Sequence, residues 1–282
     1  MRVPSYAIPG DVHVLEAERN RIAEMNSVFR CVAKSHGETF RFYLKVSKSL
    51  DSGMANEEAV LEELRGYGFP VPKVLWSGTG RRHFMAVEER PGHILRDILN
   101  PFSPQYGGNA SYDVLQDFGE LVGRLHSLPI DWADQRRTAL YDFLGEREVE
   151  DESFQQIVAW LDEHPPPSHD AAFVHGDLND ANVLVEGRDV TAILDWESAG
   201  RGWKEYDLAW VLRERRNYMN TREARLSFLE GYTTRASYDP YALRWCEVMN
   251  CLHVAFWCKD KYPNFMEFNL QKAREAMERP VE

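Results

Sequence analysis

Cysteine is scarce, and none of it stands in a metal-binding spacing. Cys31, Cys246, Cys251 and Cys258 form no C-x-x-C pair, which excludes a thiolate zinc site and leaves reduced thiols as the expectation. No run approaches 18 uninterrupted apolar residues, and the first twenty lack the basic start and apolar core of a secretion signal. Neither a membrane span nor an export signal is therefore read, and a cytoplasmic, reducing setting is expected. Positive charge is also short: 33 Lys and Arg against 45 Asp and Glu give a formal net charge of -12. That sign excludes general attraction to nucleic acid or an anionic membrane and suits a cationic small partner. Internal repeats and low-complexity tracts are absent too, and a monomer is the default.

What is there is an ordinary globular composition, 44% hydrophobic and 28% charged over 282 residues, enough for two lobes. From residue 11 to about 90 the pattern is strand-rich. SVFRCVAKS and TFRFYLKV flank the turn signal His36-Gly37-Glu38, and PVPKVLWSG and RRHFMAVEE read as two more strands. Between them MANEEAVLEELRGYG reads as a helix stopped by Gly66 and Gly68. After Arg90-Pro91-Gly92 the character turns helical: YDVLQDFGELVGRLHSL, DESFQQIVAWLDEH, SFLEGYT, YALRWCEVMNCLHVAFW and FNLQKAREAMERP all carry that pattern. The stretches 101–111 and 164–170 read as loops. The expectation is an α+β chain divided into 1–90, with the sheet and one helix, and 91–282, mainly helical.

The densest chemistry lies in FVHGDLNDANVLVEGRDVTAILDW, residues 173–196. Val183–Val185 and Val190–Leu194 are short apolar runs around Glu186-Gly187-Arg188-Asp189, the signature of a hairpin. Antiparallel pairing brings its open ends together, so Asn182 should lie near Asp195. Amide and carboxylate oxygens of this kind suit Mg²⁺, which takes one or two protein ligands and completes its shell with phosphates and water. Asp177 stands five residues before Asn182, in the spacing His-x-Asp-x-x-x-x-Asn. In phosphoryl transfer to a hydroxyl, that spacing puts a carboxylate beside the acceptor and the amide on the metal.

HGDLNDANVLV, followed by AILDWESAG and EYDLAW, resembles the aminoglycoside phosphotransferase and choline kinase superfamily of small-molecule kinases. EEAVLEELRGYGFPVPKVLWSG, MAVEERPG and DFGELVGRLHSLP extend the resemblance to roughly residues 20–210. It implies a protein-kinase-like bilobal fold with an antiparallel-sheet N-lobe and a mainly helical C-lobe. It also implies a phosphotransferase that uses Mg²⁺ with ATP or GTP as donor. Carried over residue by residue, it makes Asp177 the catalytic base or the group that orients the acceptor hydroxyl. Asn182 and Asp195 become the metal ligands, and His175 and Asp207 structural supports of the catalytic loop.

In the N-lobe Lys45 ends the strand RFYLKV and would reach the α/β-phosphates, paired from the helix by Glu57 or by the adjacent Glu58. The phosphate-covering turn of the resemblance falls at AEMNSVFRC, which contains no glycine. Met25, Asn26 and Ser27 would cover the phosphates there, and MAVEERPG would meet the nucleotide base near Glu88.

Asp117-Phe118-Gly119 spells a kinase metal motif, but Phe118 belongs to a helical apolar stripe and the triplet precedes Asp177, so it reads as chance. Trp245, Trp257 and Tyr262 read as core aromatics in preference to an aromatic box for a cation. A protein kinase is disfavoured because only eleven residues separate Asp195 from Asp207, with no A-P-E sequence. A nucleotide-sensing pseudokinase is disfavoured because Lys45, Asp177, Asn182 and Asp195 are all present. Glu247, Trp257, Asp260 and Glu267 would suit a cationic acceptor or a solvated helical surface. The favoured acceptor is a cationic, hydroxyl-bearing antibiotic or metabolite; choline, homoserine, a sugar or a macrolide are the alternatives.

Overall fold

The computed structural model describes residues 3–20, 26–48, 53–100, 112–132, 152–167, 171–213, 219 and 221–280. Met25 and the expected loop at 101–111 lie outside them, as do residues 168–170. The chain folds as two compact units that do not follow its order: Met1–Leu95 with Asn182–Ser198, and Arg96–Ala181 with Ala199–Glu282.

The first unit is built on a five-stranded antiparallel sheet in the order β1-β2-β3-β5-β4, with β1 His13–Asn20, β2 Asn26–Ser35, β3 Glu38–Ser47, β4 Val74–Thr79 and β5 His83–Glu88. Period-two alternation decides which side chains are buried. Phe29, Cys31 and Ala33 of β2 and Phe42, Leu44 and Val46 of β3 form one core cluster with Phe84 and Ala86, and Trp76 packs edge-on against Phe42. The β2–β3 turn consists of His36 and Gly37, both at positive φ (49° and 89°), the backbone twist that a two-residue antiparallel turn requires. β1 is an edge strand with almost every residue exposed. Glu16, Glu18 and Arg19 keep its open side from pairing with another chain.

Helix α1, Met54–Gly66, buries Met54, Glu57, Val60, Leu61 and Leu64 on one stripe. Gly68 ends it at φ 63°, with Gly68 N–H donating to the Arg65 carbonyl and Phe69 N–H to that of Leu64, the two bonds of a glycine-terminated helix. A second, three-stranded sheet completes the unit in the order β6-β8-β9: β6 is His93–Ile94, β8 Val183–Glu186 and β9 Asp189–Ile193. Val183 pairs with Ile193, and Leu194 N–H donates to the Asn182 carbonyl at 2.8 Å, so the hairpin ends meet as its sequence requires.

The second unit is mainly helical among its described residues. It contains α2 Leu95–Leu99 from Arg96 on, α3 Asp113–His126, α4 Glu152–Glu163, α5 Lys204–Leu212, α6 Arg222–Thr233, α7 Pro240–Cys258 and α8 Pro263–Glu278. A two-stranded ladder of β7 Ala172–Val174 and β10 Gly200–Gly202 accompanies them. The backbones of α3 and α6 approach closely because glycines line the crossing. A Cβ on Gly123 would lie 2.6 Å from the Tyr232 carbonyl oxygen, and on Gly119 or Gly231 it would collide outright with the carbonyl of Phe228 or Gln116. The Asp117-Phe118-Gly119 triplet is thus helix packing, with Phe118 fully buried against Phe228.

Trp245 is core, its indole N–H donating to the Leu161 carbonyl. Trp257 and Tyr262 are not: they are 57% and 55% exposed at the end of α7 and the approach to α8, which corrects the reading of all three as interior. The helical period places a residue on a face, but it does not decide how far that face is covered near a helix terminus.

Candidate active site

In the first unit, three chain segments converge on Lys45. Its Nζ lies 2.6 Å from Glu57 Oε1 of α1 and 3.0 Å from Asp195 Oδ1, just past β9. Strand alternation leaves Lys45 between the buried Leu44 and Val46, and the helical stripe turns Glu57 inward. Only 3% of the Glu57 side chain is exposed. Burial alone would lower the Lys45 pKa, but the charges of Glu57 and Asp195 outweigh it and hold the pKa above its usual value. Glu58, one residue on, instead accepts a hydrogen bond from the Ser77 hydroxyl at 2.5 Å.

A third carboxylate, unforeseen from the sequence, joins them. Asp195 adopts a left-handed backbone at φ 67°, a conformation Asp tolerates better than most residues. The chain then enters a short 3-10 turn, Trp196–Ser198. Trp196 anchors the turn, fully buried, with its indole N–H on the Ile193 carbonyl and its ring edge-on to Phe69. Glu197 is thereby held in the cluster. Its Oε2 accepts from Asn26 Nδ2 at 3.1 Å, and its backbone carbonyl from Asn56 Nδ2 at 3.3 Å. Ligand oxygens of Glu57, Asp195 and Glu197 all lie within 4.8 Å of one another. Burial, then the Asp195 charge, pushes the Glu197 carboxyl up to about 7, with Lys45 and the Asn26 hydrogen bond opposing.

Three carboxylates thus gather around one ammonium in a half-buried cluster. Among the described residues, buried Glu57 Oε2 and Asn26 Oδ1 also have no hydrogen-bond partner. Hard carboxylate and amide oxygen donors are what a Mg²⁺-class cation selects, so the donor set fits the metal that phosphoryl transfer requires. Asn182 is half-buried at the hairpin's other end. Ser27 Oγ accepts a 3.5 Å contact from Arg19. Glu88 is otherwise engaged: its N–H donates to the Lys73 carbonyl, and its carboxylate accepts from Lys73 N–H and Arg90. The N–H at that position is therefore occupied by the sheet's own edge.

The second unit holds His175, Asp177 and Asp207, the residues that the sequence reading assigns to a catalytic loop and its supports. Asp207, fully buried on α5, accepts the backbone N–H of His175 at 2.7 Å and of Gly176 at 2.9 Å. His126 Nε2 lies 3.2 Å from the same carboxylate, and its Nδ1 is 3.0 Å from the Tyr232 hydroxyl. His175 is fully buried, and its Nδ1 accepts the Asp177 N–H at 3.2 Å, which leaves Nε2 to carry the ring proton. Gly176 sits at φ 82°, so the loop turns where a side chain would be strained. The Asp177 carboxylate accepts from Asn179 Nδ2 at 3.2 Å. Glu247, which could have met a cation, is nearly buried and paired with both Arg225 and Arg279, so its charge is already spent within the helical packing.

A profile of the phosphotransferase enzyme family matches residues 19–246. The chain belongs to that family. This phosphotransferase is by class a small-molecule kinase with a protein-kinase-like α+β fold. It is similar to an aminoglycoside 3'-phosphotransferase of Enterococcus faecalis, 26% identical over 210 residues that cover 64% of this chain and 74% of the relative. It is also similar to a homoserine kinase of Zymomonas mobilis, 23% identical over 54% of this chain and 50% of that one. Among solved structures, the aminoglycoside phosphotransferase APH(4)-Ia shares the fold with a TM-score of 0.70 at 17% identity, covering 94% of each chain. Among the described residues of the phosphotransferase, no helix is long and apolar enough to cross a membrane.

Proposed function

We propose that the protein transfers the γ-phosphoryl group of ATP or GTP to a hydroxyl of a small, cationic acceptor, with antibiotic modification favoured. The observation that carries this reading is Lys45 held by Glu57 at 2.6 Å and by Asp195 at 3.0 Å. A phosphate-binding ammonium, its orienting helix acid and a metal-ligand carboxylate stand within one hydrogen-bonded group, the arrangement that kinase chemistry depends on. Asn182 and Asp195 would hold Mg²⁺, which supplies charge neutralisation between the phosphates. Asn26 and Ser27 would cover the phosphates, and the strand around Glu88 would border the base. Asp177 would accept the acceptor's proton or orient its hydroxyl. His175 and Asp207 act through the backbone that carries Asp177.

A cationic acceptor agrees with the net charge of -12 and with the aminoglycoside enzyme among the relatives. The exposed aromatic rings of Trp257 and Tyr262 are suited to a cation's face. The homoserine kinase similarity keeps an amino-acid acceptor as the second reading, with choline, sugars and macrolides behind it.

The test is a coupled nucleotide-turnover screen with ATP and GTP over aminoglycosides, peptide antibiotics, macrolides, choline and homoserine, with Asp177→Asn beside the wild type. Acceptor-dependent turnover that falls at least a hundredfold in Asp177→Asn is expected. Full activity in that variant would remove Asp177 from its role, and Mg²⁺-ATP binding without turnover of any acceptor would favour a nucleotide sensor.

A further inference from the structure

Glu57, Asp195 and Glu197 offer more than a metal bound through nucleotide needs. We propose that this chain holds an oxygen-preferring divalent cation on these three carboxylates in the absence of any nucleotide, with the Asn26 amide oxygen as a fourth donor. The site shares Asp195 with the nucleotide-dependent metal of the proposed function but requires no phosphate, so the two readings can fail separately.

Four observations support it. The three carboxylates bring ligand oxygens within 4.8 Å of one another, close enough to share one divalent cation, whose opposed oxygen ligands stand roughly 4–5 Å apart. Glu57 Oε2 is buried without a hydrogen-bond partner among the described residues, although Oε1 is taken by Lys45. A carboxylate has lone pairs for both, so one oxygen can serve the ammonium and the other a cation. Asn26 Oδ1 is likewise buried and unpartnered among the described residues, and its own amide nitrogen lies 3.1 Å from Glu197 Oε2, so a half-turn of that amide would bring a neutral oxygen donor to a cation held there. Leaving such atoms unmatched is costly, and a cation would match both at once.

Position is the fourth observation. Glu57 belongs to a packed helix, and Glu197 to a turn fixed by the buried Trp196. The donors are therefore preorganised and need not be gathered by phosphate.

Mn²⁺ is the probe. Electron paramagnetic resonance titration of the nucleotide-free, full-length protein at pH 8 is expected to show one saturable Mn²⁺ per chain. Glu197→Gln should weaken it at least tenfold, and Asn26→Asp should tighten it. Glu62→Gln, on the exposed side of the same helix, should leave it unchanged. Thermal melting of each variant separates lost binding from lost folding. Absence of saturable binding in the wild type, or equal affinity in Glu197→Gln and in Asn26→Asp, overturns the proposal. Acceptor turnover by a wild type that binds no Mn²⁺ alone would sink this site and leave the phosphotransfer reading standing; Mn²⁺ binding without turnover would do the reverse.

Discussion

Asp207 holds the backbone of His175: its Oδ2 accepts the His175 N–H at 2.7 Å while its Oδ1 accepts that of Gly176 at 2.9 Å. One buried carboxylate thus fixes two consecutive peptide groups immediately before Asp177. Replacing it with Asn turns one acceptor into a donor facing an N–H. Hydrogen bonds to charged groups contribute roughly 1.5–3 kcal/mol each, so Asp207→Asn should lose about 3 kcal/mol of stability in urea unfolding. Faster hydrogen exchange at the His175 and Gly176 amides should accompany the loss, and unchanged exchange there would show that the loop is held by something else.

Lys45 and Glu57 invite a double-mutant cycle. With 15% and 3% of their side chains exposed, neither is left well solvated when its partner goes, and truncating one member of a buried pair is strongly destabilising. Lys45→Met and Glu57→Gln should each destabilise the protein, and the double variant should be better than their sum by about 1–3 kcal/mol. Additive losses would mean that the 2.6 Å contact contributes nothing to stability.

The α3–α6 crossing predicts a steric result. Gly231→Ala would drive its Cβ into the Gln116 carbonyl, and backbone has no rotamer to escape by. A loss of ~3 kcal/mol is expected from overpacking, whereas Gly187→Ala at the open β8–β9 turn should cost less despite its φ of 65°. Equal melting temperatures for the two variants would disprove the close crossing.

His253 on α7 predicts an acid transition. Burial first, and the Arg213 charge second, lower its pKa from 6.5 to about 4. The unfolded chain therefore takes up a proton between those values that the folded chain refuses. Stability from this residue is fully present above pH 6.5 and is lost as the pH falls toward 4, on the order of 3 kcal/mol in all. His253→Gln should flatten the unfolding free energy across that window. Parallel curves for the two proteins would place the acid sensitivity elsewhere.

The sequence was most readable where local pattern and tertiary placement agree. The β8–β9 hairpin is announced by two apolar runs and a glycine turn, and closing it brings Asn182 and the end of β9 together whatever surrounds them. The choice between Glu57 and Glu58 was also within reach: Met54, Leu61 and Leu64 define a stripe that includes position 57 and leaves position 58 beside it. Glu197 was not readable in the same way. It enters the cluster through a left-handed residue and one turn of 3-10 helix, a path with no hydrophobic period to announce it. Tertiary packing also decided Glu247, whose arginine partners come from positions 225 and 279, and Trp257, whose helical face runs out of neighbours. β1 was blurred for the opposite reason, since an exposed edge strand of charged residues has no apolar face to alternate.

The division of the chain has an engineering consequence. Residues 182–198 belong to the same compact unit as residues 1–95, although 86 residues of the other unit intervene. A contiguous fragment ending near Leu95 would carry Lys45 and Glu57 without Asp195 and Glu197, exposing an ammonium and a buried acid to each other with the rest of their circle missing. The first unit can be made as a separate piece only by splicing: the hairpin would have to be appended through a short linker, a chimera in which gene order is rewritten to follow the fold.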